Sequence, residues 1–204
     1  LGQFGSSVVA SHNIAMSMNA LFYMPPMALG MAATIRIGFR IGAGETEGAK
    51  TTARIAFLAT SFLAIVGAML IFLLREELVS LYTTEEVVRD LSRSLLLFVV
   101  FFLYFDATQA TFLGTLRGYK DTKVPMFIAL ISYWLVAFPI QMILGFGWFA
   151  EPAEPMGIYG FWIGLASGVG CASICLGVRL IIVSNNKQLI DRLSIAAAEK
   201  KKSP

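Results

Sequence analysis

Charge is what this sequence has least of. Asp, Glu, Lys and Arg together make up 14% of its 204 residues, against about 25% in an ordinary soluble domain. It has a single His and two Cys. Cys171 and Cys175 stand i to i+4 in an apolar run, so they read as reduced thiols packed among helices rather than as a disulfide framework or a metal knuckle. No P-loop, GxSxG, HExxH or zinc spacing occurs, and the glycines at 38, 42 and 44 lack the strand–turn–helix context of a dinucleotide site. ATP use and enzyme chemistry are not expected. There is no basic n-region ahead of a short apolar core and cleavage site. With Leu1 in first place, the chain reads as beginning part-way through a larger protein.

What is present is apolar surface. Hydrophobic residues make up 57% of the chain, and mean hydropathy is +0.73. That excludes a disordered tail and a nucleic-acid binder and leaves a bilayer-spanning protein. A helix needs about 20 apolar residues to cross the bilayer core. Five runs qualify: 8–35, 55–74, 95–116, 124–146 and 158–183. The ten-residue alternation of a membrane β-barrel is absent. The expected fold is therefore an all-α polytopic bundle of five transmembrane helices over residues 1–184, with a basic tail over 185–204.

The basic residues orient it. Thirteen of 16 lie in the loops between spans one and two and between three and four, or at and beyond the end of span five. By the positive-inside rule that side is cytoplasmic, and so is the C-terminus. The opposite loops carry Arg75, Arg89 and Arg93 with seven acids, among them Glu85, Glu151 and Glu154. In the outer loop, Thr83 and Glu86 have capping-box spacing, and Val87, Val88, Leu91 and Leu95 follow at helical intervals. A short interfacial helix or an extension of span three is expected there. The tail is expected to be solvated and frayed, with its basic end able to touch anionic lipid.

Twelve of 13 acids lie in loops or at helix ends; the exception is Asp106, in the middle of span three, with no Lys, Arg or His in that span. A charge at mid-bilayer costs roughly 2.5–3.5 kcal/mol and is tolerated where it faces a cavity, binds a cation or takes a proton. The alternative is a protonated Asp serving as glue between helices. Gln109, one turn on, shares its face. Thr108, Thr111 and Thr115 either line the same cavity or bond back to their own helix. In span one, Asn13 and Ser17 are candidate cavity residues, and His12 and Asn19 lie two turns apart. Pro25-Pro26 is expected to kink that helix. Gly160, Gly164 and Gly168 form a small-xxx-small series in span five that favours close packing. Phe98, Phe101, Phe102, Tyr104 and Phe105, with Tyr133, Trp134 and Phe138, offer rings either to flat organic cations or to lipid and core. Tyr104 and Tyr133 are the cavity candidates among them.

Three segments then resemble a known family. Ile35 to Lys50, IRIGFRIGAGETEGAK, resembles a cytoplasmic loop in the C-terminal half of NorM-type MATE (multidrug and toxic compound extrusion) transporters. Leu81-Tyr82-Thr83 resembles their outer loop. The most specific match is Leu116 to Met126, LRGYKDTKVPM, which with Asp106 and Gln109 resembles the tenth helix and its inner loop. The resemblance implies the last five of twelve helices. It also implies a multidrug antiporter of the bacterial inner membrane, expelling cationic drugs in exchange for Na⁺ or H⁺ as two lobes rock about a central cavity. Asp106 matches the family's membrane-embedded acid of the tenth helix, a cation-site residue and so a candidate Na⁺ ligand. The partner acid of the seventh helix, and the first six helices, have no counterpart in these 204 residues. No other cofactor and no nucleic-acid partner is implied. The residues alone also fit a lipid-linked substrate flippase of the same superfamily, or a structural membrane subunit in which Asp106 is glue.

Overall fold

The structure, a computed structural model, describes residues 4–148 and 156–202. Five helices are long and apolar enough to cross a membrane: α1 Ser6–Gly42, α2 Thr46–Ser80, α3 Glu86–Gly118, α4 Lys123–Gly145 and α5 Ile158–Asn185. A sixth, α6 Lys187–Lys202, follows after a single residue. At 1.5 Å per residue the 37 residues of α1 reach about 55 Å, well beyond a hydrocarbon core of about 30 Å. The spans therefore start and stop outside the apolar runs, in the headgroup layers. Gly44 takes φ 78° to turn the chain from α1 into α2, a left-handed conformation open to glycine at little cost.

The central helix is α3, which packs against α1, α2 and α5. On the side of its N-terminus a core joins Leu95, Leu96, Val99 and Leu103 to Ala15 and Met18 of α1, Ile71 of α2 and Trp162 of α5. On the other side Leu116 and Tyr119 meet Ile37, Ala53, Leu176 and Val183. By contrast α2 turns a stripe of Ile55, Leu58, Phe62, Ile65 and Met69 outward; their spacing is that of one helical face.

The α4 helix packs mainly on α5 and changes winding twice. Ser132–Ala137 and Gln141–Gly145 are π-helical, with Phe138–Ile140 between them. Pro139 offers no N–H, and its ring crowds the preceding turn; the wider π turns on either side absorb both. Opposite lie the predicted small residues of α5. A Cβ at Gly164 would stand 2.6 Å from the backbone N of Gln141, and Cβ atoms at Gly160 and Gly168 would collide with Leu144 and Ala137.

Several expectations are corrected. Pro25 and Pro26 do not end α1, which runs through them as one helix. The capping box does not form: Thr83 Oγ1 accepts the N–H of Glu85 at 3.2 Å, and α3 begins at Glu86 as a direct extension of the span. Arg93 fastens that extension to the end of α2, 3.1 Å from Glu76 and 3.0 Å from Asp90. Over Lys187–Lys202 the tail is helical rather than frayed. Asn186 Oδ1 caps its first turn by accepting the N–H of Leu189 at 3.0 Å, and Ile190 is buried in the core beneath. Cys171 is half-buried and Cys175 exposed, so only the first is packed among helices. The expectations for Glu151 and Glu154, and for the side chains of Lys200, Lys201 and Lys202, lie outside the described residues.

The loop LRGYKDTKVPM gains a physical reading. Lys120 takes φ 66°, and the turn it makes returns the N–H of Asp121 to Leu116 O at 2.9 Å. Asp121 is thereby buried and accepts a 2.7 Å bond from Arg179 Nε of α5. Beside it Tyr119 is fully buried. Desolvation, with a smaller contribution from the charge of Glu47, pushes its phenol up to about 12, so it stays neutral at physiological pH. The α3–α4 turn is thus anchored to α5 by a charge pair and a ring.

Candidate functional site

Asp106 sits half-buried, and its Oδ2 accepts a 3.1 Å hydrogen bond from Asn19 Nδ2 of α1. It takes part in no ion pair among the described residues. The Tyr23 and Tyr133 phenols lie within electrostatic range of its carboxylate. Gln109 points from the same helix toward α4, where its amide brackets the Tyr133 hydroxyl: Nε2 donates to it at 3.0 Å and Oε1 accepts from it at 3.1 Å. The site therefore joins one acid, two amides and two phenols from α1, α3 and α4.

Helix phase explains which predicted residues arrive here. Asn19 and Tyr23 are one turn apart and share a face of α1. Asn13 and Ser17 precede Asn19 by six and two residues, which turns them well away at about 100° per residue. Both are exposed, and neither has a side-chain hydrogen bond among the described residues. Asn13 and Ser17 therefore do not join Asn19 at Asp106. The i+4 spacing of Asn19 and Tyr23 was there to be seen, but not the phase of α1 against α3.

The threonines are structural. Thr111 bonds Thr60 of α2 at 2.7 Å, Thr108 bonds Ser173 of α5 at 2.8 Å, and Thr115 bonds back to Thr111 O at 2.7 Å. All three are buried. Tyr104 stands two residues before Asp106 and so faces elsewhere. It lines an apolar groove of about 520 Å³ between α2 and α3, with Ile65, Met69, Phe72 and Phe105. The remaining rings divide between core and surface rather than forming one box. Phe102 meets Trp162 edge-on, whereas Phe101 and Trp134 face outward. His12 packs against the edges of Phe161 and Trp162.

Chemically, the site pairs one ionisable carboxyl with neutral partners. Among the described residues no three of His, Cys, Asp and Glu gather around a point. The buried Asn19 Oδ1 has no hydrogen-bond partner.

An all-helical bundle with five helices of membrane-spanning length defines a polytopic membrane protein. The sequence pattern of MatE matches residues 1–143, and the chain belongs to that family. Membership sets it with transporters and not with enzymes. It is similar to the probable multidrug resistance protein NorM of Idiomarina loihiensis, 38% identical over 97% of this chain and 43% of the relative. It is likewise similar to the multidrug resistance protein PmpM of Pseudomonas aeruginosa, 40% identical over 88% of this chain and 37% of the relative. The fold matches the crystal structure of the eukaryotic MATE transporter AtDTX14 with a TM-score of 0.80 at 24% identity, over 92% of this chain and 41% of that one. The chain thus spans about two fifths of the length of the relatives it matches.

Proposed function

We propose that this chain is the C-terminal part of a cation-coupled multidrug efflux antiporter of the bacterial inner membrane. It exports organic cations by alternating access in exchange for Na⁺ or H⁺, and Asp106 takes up the coupling ion. The observation that carries this reading is a mid-span carboxylate bonded to a neutral amide, with no cationic partner among the described residues. The relatives named for multidrug resistance support the substrate class. An unpaired charge at this depth is costly, so the empty state favours uptake of a proton or Na⁺, and a cationic drug competes for the same negative charge. That competition is what couples the two fluxes.

The test is Asp106→Asn in the intact transporter, read as efflux of a fluorescent cationic dye at matched membrane expression. Asn keeps the size and the hydrogen bond to Asn19 but cannot change charge, so ion-driven efflux is expected to be abolished; Asp106→Glu is expected to retain part of it. Wild-type efflux by the Asn variant reduces Asp106 to interhelical glue, a role in which such bonds average only about 0.6 kcal/mol. The orientation belongs to the same proposal. Single cysteines at positions 50 and 120, in a background lacking Cys171 and Cys175, are expected to resist an impermeant reagent that labels position 85. Labelling at 50 or 120 but not 85 inverts the topology.

A further inference from the structure

Arg36 has no ion-pair partner among the described residues, although it lies at the end of a membrane-spanning helix beside exposed apolar groups. It lines a cavity of about 580 Å³ with Ala32, Ile35, Phe39, Arg40 and Glu45. Arg36 and Arg40 are one turn apart on one face of α1, and Ile35 and Phe39 repeat that spacing on the adjoining face. Ile35 is 75% and Phe39 77% exposed, more than Leu58 at 65% in the outward stripe of α2.

The two arginines are not equivalent. Arg40 is committed to the protein: its guanidinium lies over Gly48, where any Cβ would collide with it, and it stands 3.7 Å from Glu45. Glu45 is thereby occupied at the far wall, which leaves the Arg36 fork free. A guanidinium matches a phosphate with paired, charge-assisted hydrogen bonds. The apolar groups beside it match something that a free anion does not have.

We propose that this cavity binds an anionic phospholipid. Its phosphate is held by Arg36, with Arg40 adding field from behind, and its upper acyl chain lies along Ala32, Ile35 and Phe39. The depth is right: Arg36 directly follows the apolar run that ends at residue 35 and so falls in the headgroup layer. Basic pockets at the ends of spanning helices are suited to acidic headgroups. A soluble phosphate would leave Ile35 and Phe39 without purpose, and a zwitterionic lipid would bring its own cation against Arg36.

The experiment uses the full-length protein carrying this chain, reconstituted in vesicles of phosphatidylcholine doped with phosphatidylglycerol and released into native mass spectrometry. Wild type is expected to retain phosphatidylglycerol in preference to phosphatidylcholine. Arg36→Gln is expected to weaken retention about fivefold, the size expected of one basic residue at an anionic surface. Phe39→Ser, which leaves every charge in place, is expected to weaken it too. Arg54→Gln, an exposed α2 arginine outside the cavity, is the control and should leave it unchanged. Dye efflux and gel-filtration position report that each variant is intact. Three results overturn the proposal: retention by Arg36→Gln equal to wild type, an equal loss in Arg54→Gln, and unchanged retention in Phe39→Ser with displacement by inorganic phosphate. The second would mean a diffuse surface potential and the third a phosphate site.

Discussion

Two seams in this bundle bring helix backbones into contact, and they are built differently. Between α1 and α3, a Cβ at Gly114 would stand 2.5 Å from the carbonyl oxygen of Gly30, and one at Gly118 would stand 2.8 Å from Ile37 Cβ. This seam is also stitched: Thr34 Oγ1 bonds Gly30 O at 2.9 Å and Gly114 O at 2.7 Å, and Asn19 bonds Asp106. Between α4 and α5 the glycines at 160, 164 and 168 admit the facing helix as closely, yet no side-chain hydrogen bond joins the two helices among the described residues. Along its length α4 meets α5 by shape, with the Asp121–Arg179 pair at its entry, whereas hydrogen bonds within the seam fix the register of α1 on α3. The acid lies on the seam whose register is fixed. A carboxylate that must meet one particular amide tolerates little sliding, and a seam held by shape does not forbid a slide.

The comparison can be broken at four points. The largest effect is expected from Gly114→Leu. The group it meets is backbone, which cannot rotate aside, so α1 and α3 must separate along their length. Gel filtration in detergent should show loss of monodisperse protein. Next comes Gly164→Leu, where α4 is an edge helix with π turns that can readjust. Overpacking of this kind costs about 1–3 kcal/mol, so a folded protein with a lowered thermal midpoint is expected, and a midpoint equal to wild type would show that the α5 face tolerates bulk. Thr34→Val keeps the shape and deletes the stitch. Hydrogen bonds in membranes are worth about 0.6 kcal/mol on average, so a small fall in midpoint is expected, together with a larger fall in dye efflux if register is what the bond protects. An effect on midpoint without one on efflux removes the link between register and site.

Tyr133→Phe is the smallest change. It frees the Gln109 amide from α4 and is expected to leave stability almost unaltered while lowering the efflux rate, because Tyr133 is the side chain through which α4 reaches the site. Efflux at the wild-type rate would confine the site to α1 and α3. Asn13→Ala should change neither reading, since nothing described bonds to it.

These differences mark how far the sequence could be read. The α5 glycines were legible because they stand at regular intervals of four in a run otherwise apolar. Gly30, Gly114 and Gly118 were not, because each acquires meaning only from a residue some 80 positions away. Asp106 was legible because a lone acid in an apolar run is costly wherever the helices turn. Asn19 was visible as a polar residue, but its bond to Asp106 was not, since three polar residues spread around a helix look alike until a neighbour fixes the phase.

By itself the sequence determined the number of the spans, the charge asymmetry of their ends and the isolation of one acid. Those properties follow from transfer free energies that add residue by residue along the chain, so they need no knowledge of neighbours. Only the tertiary structure decided that Asn19 meets Asp106, that the threonines are spent on helix contacts, and that Tyr104 turns away. A helix advances about 100° per residue, so an amide and a carboxylate face each other only when the rotation and rise of both helices agree, and that agreement is set by the side chains packed between them.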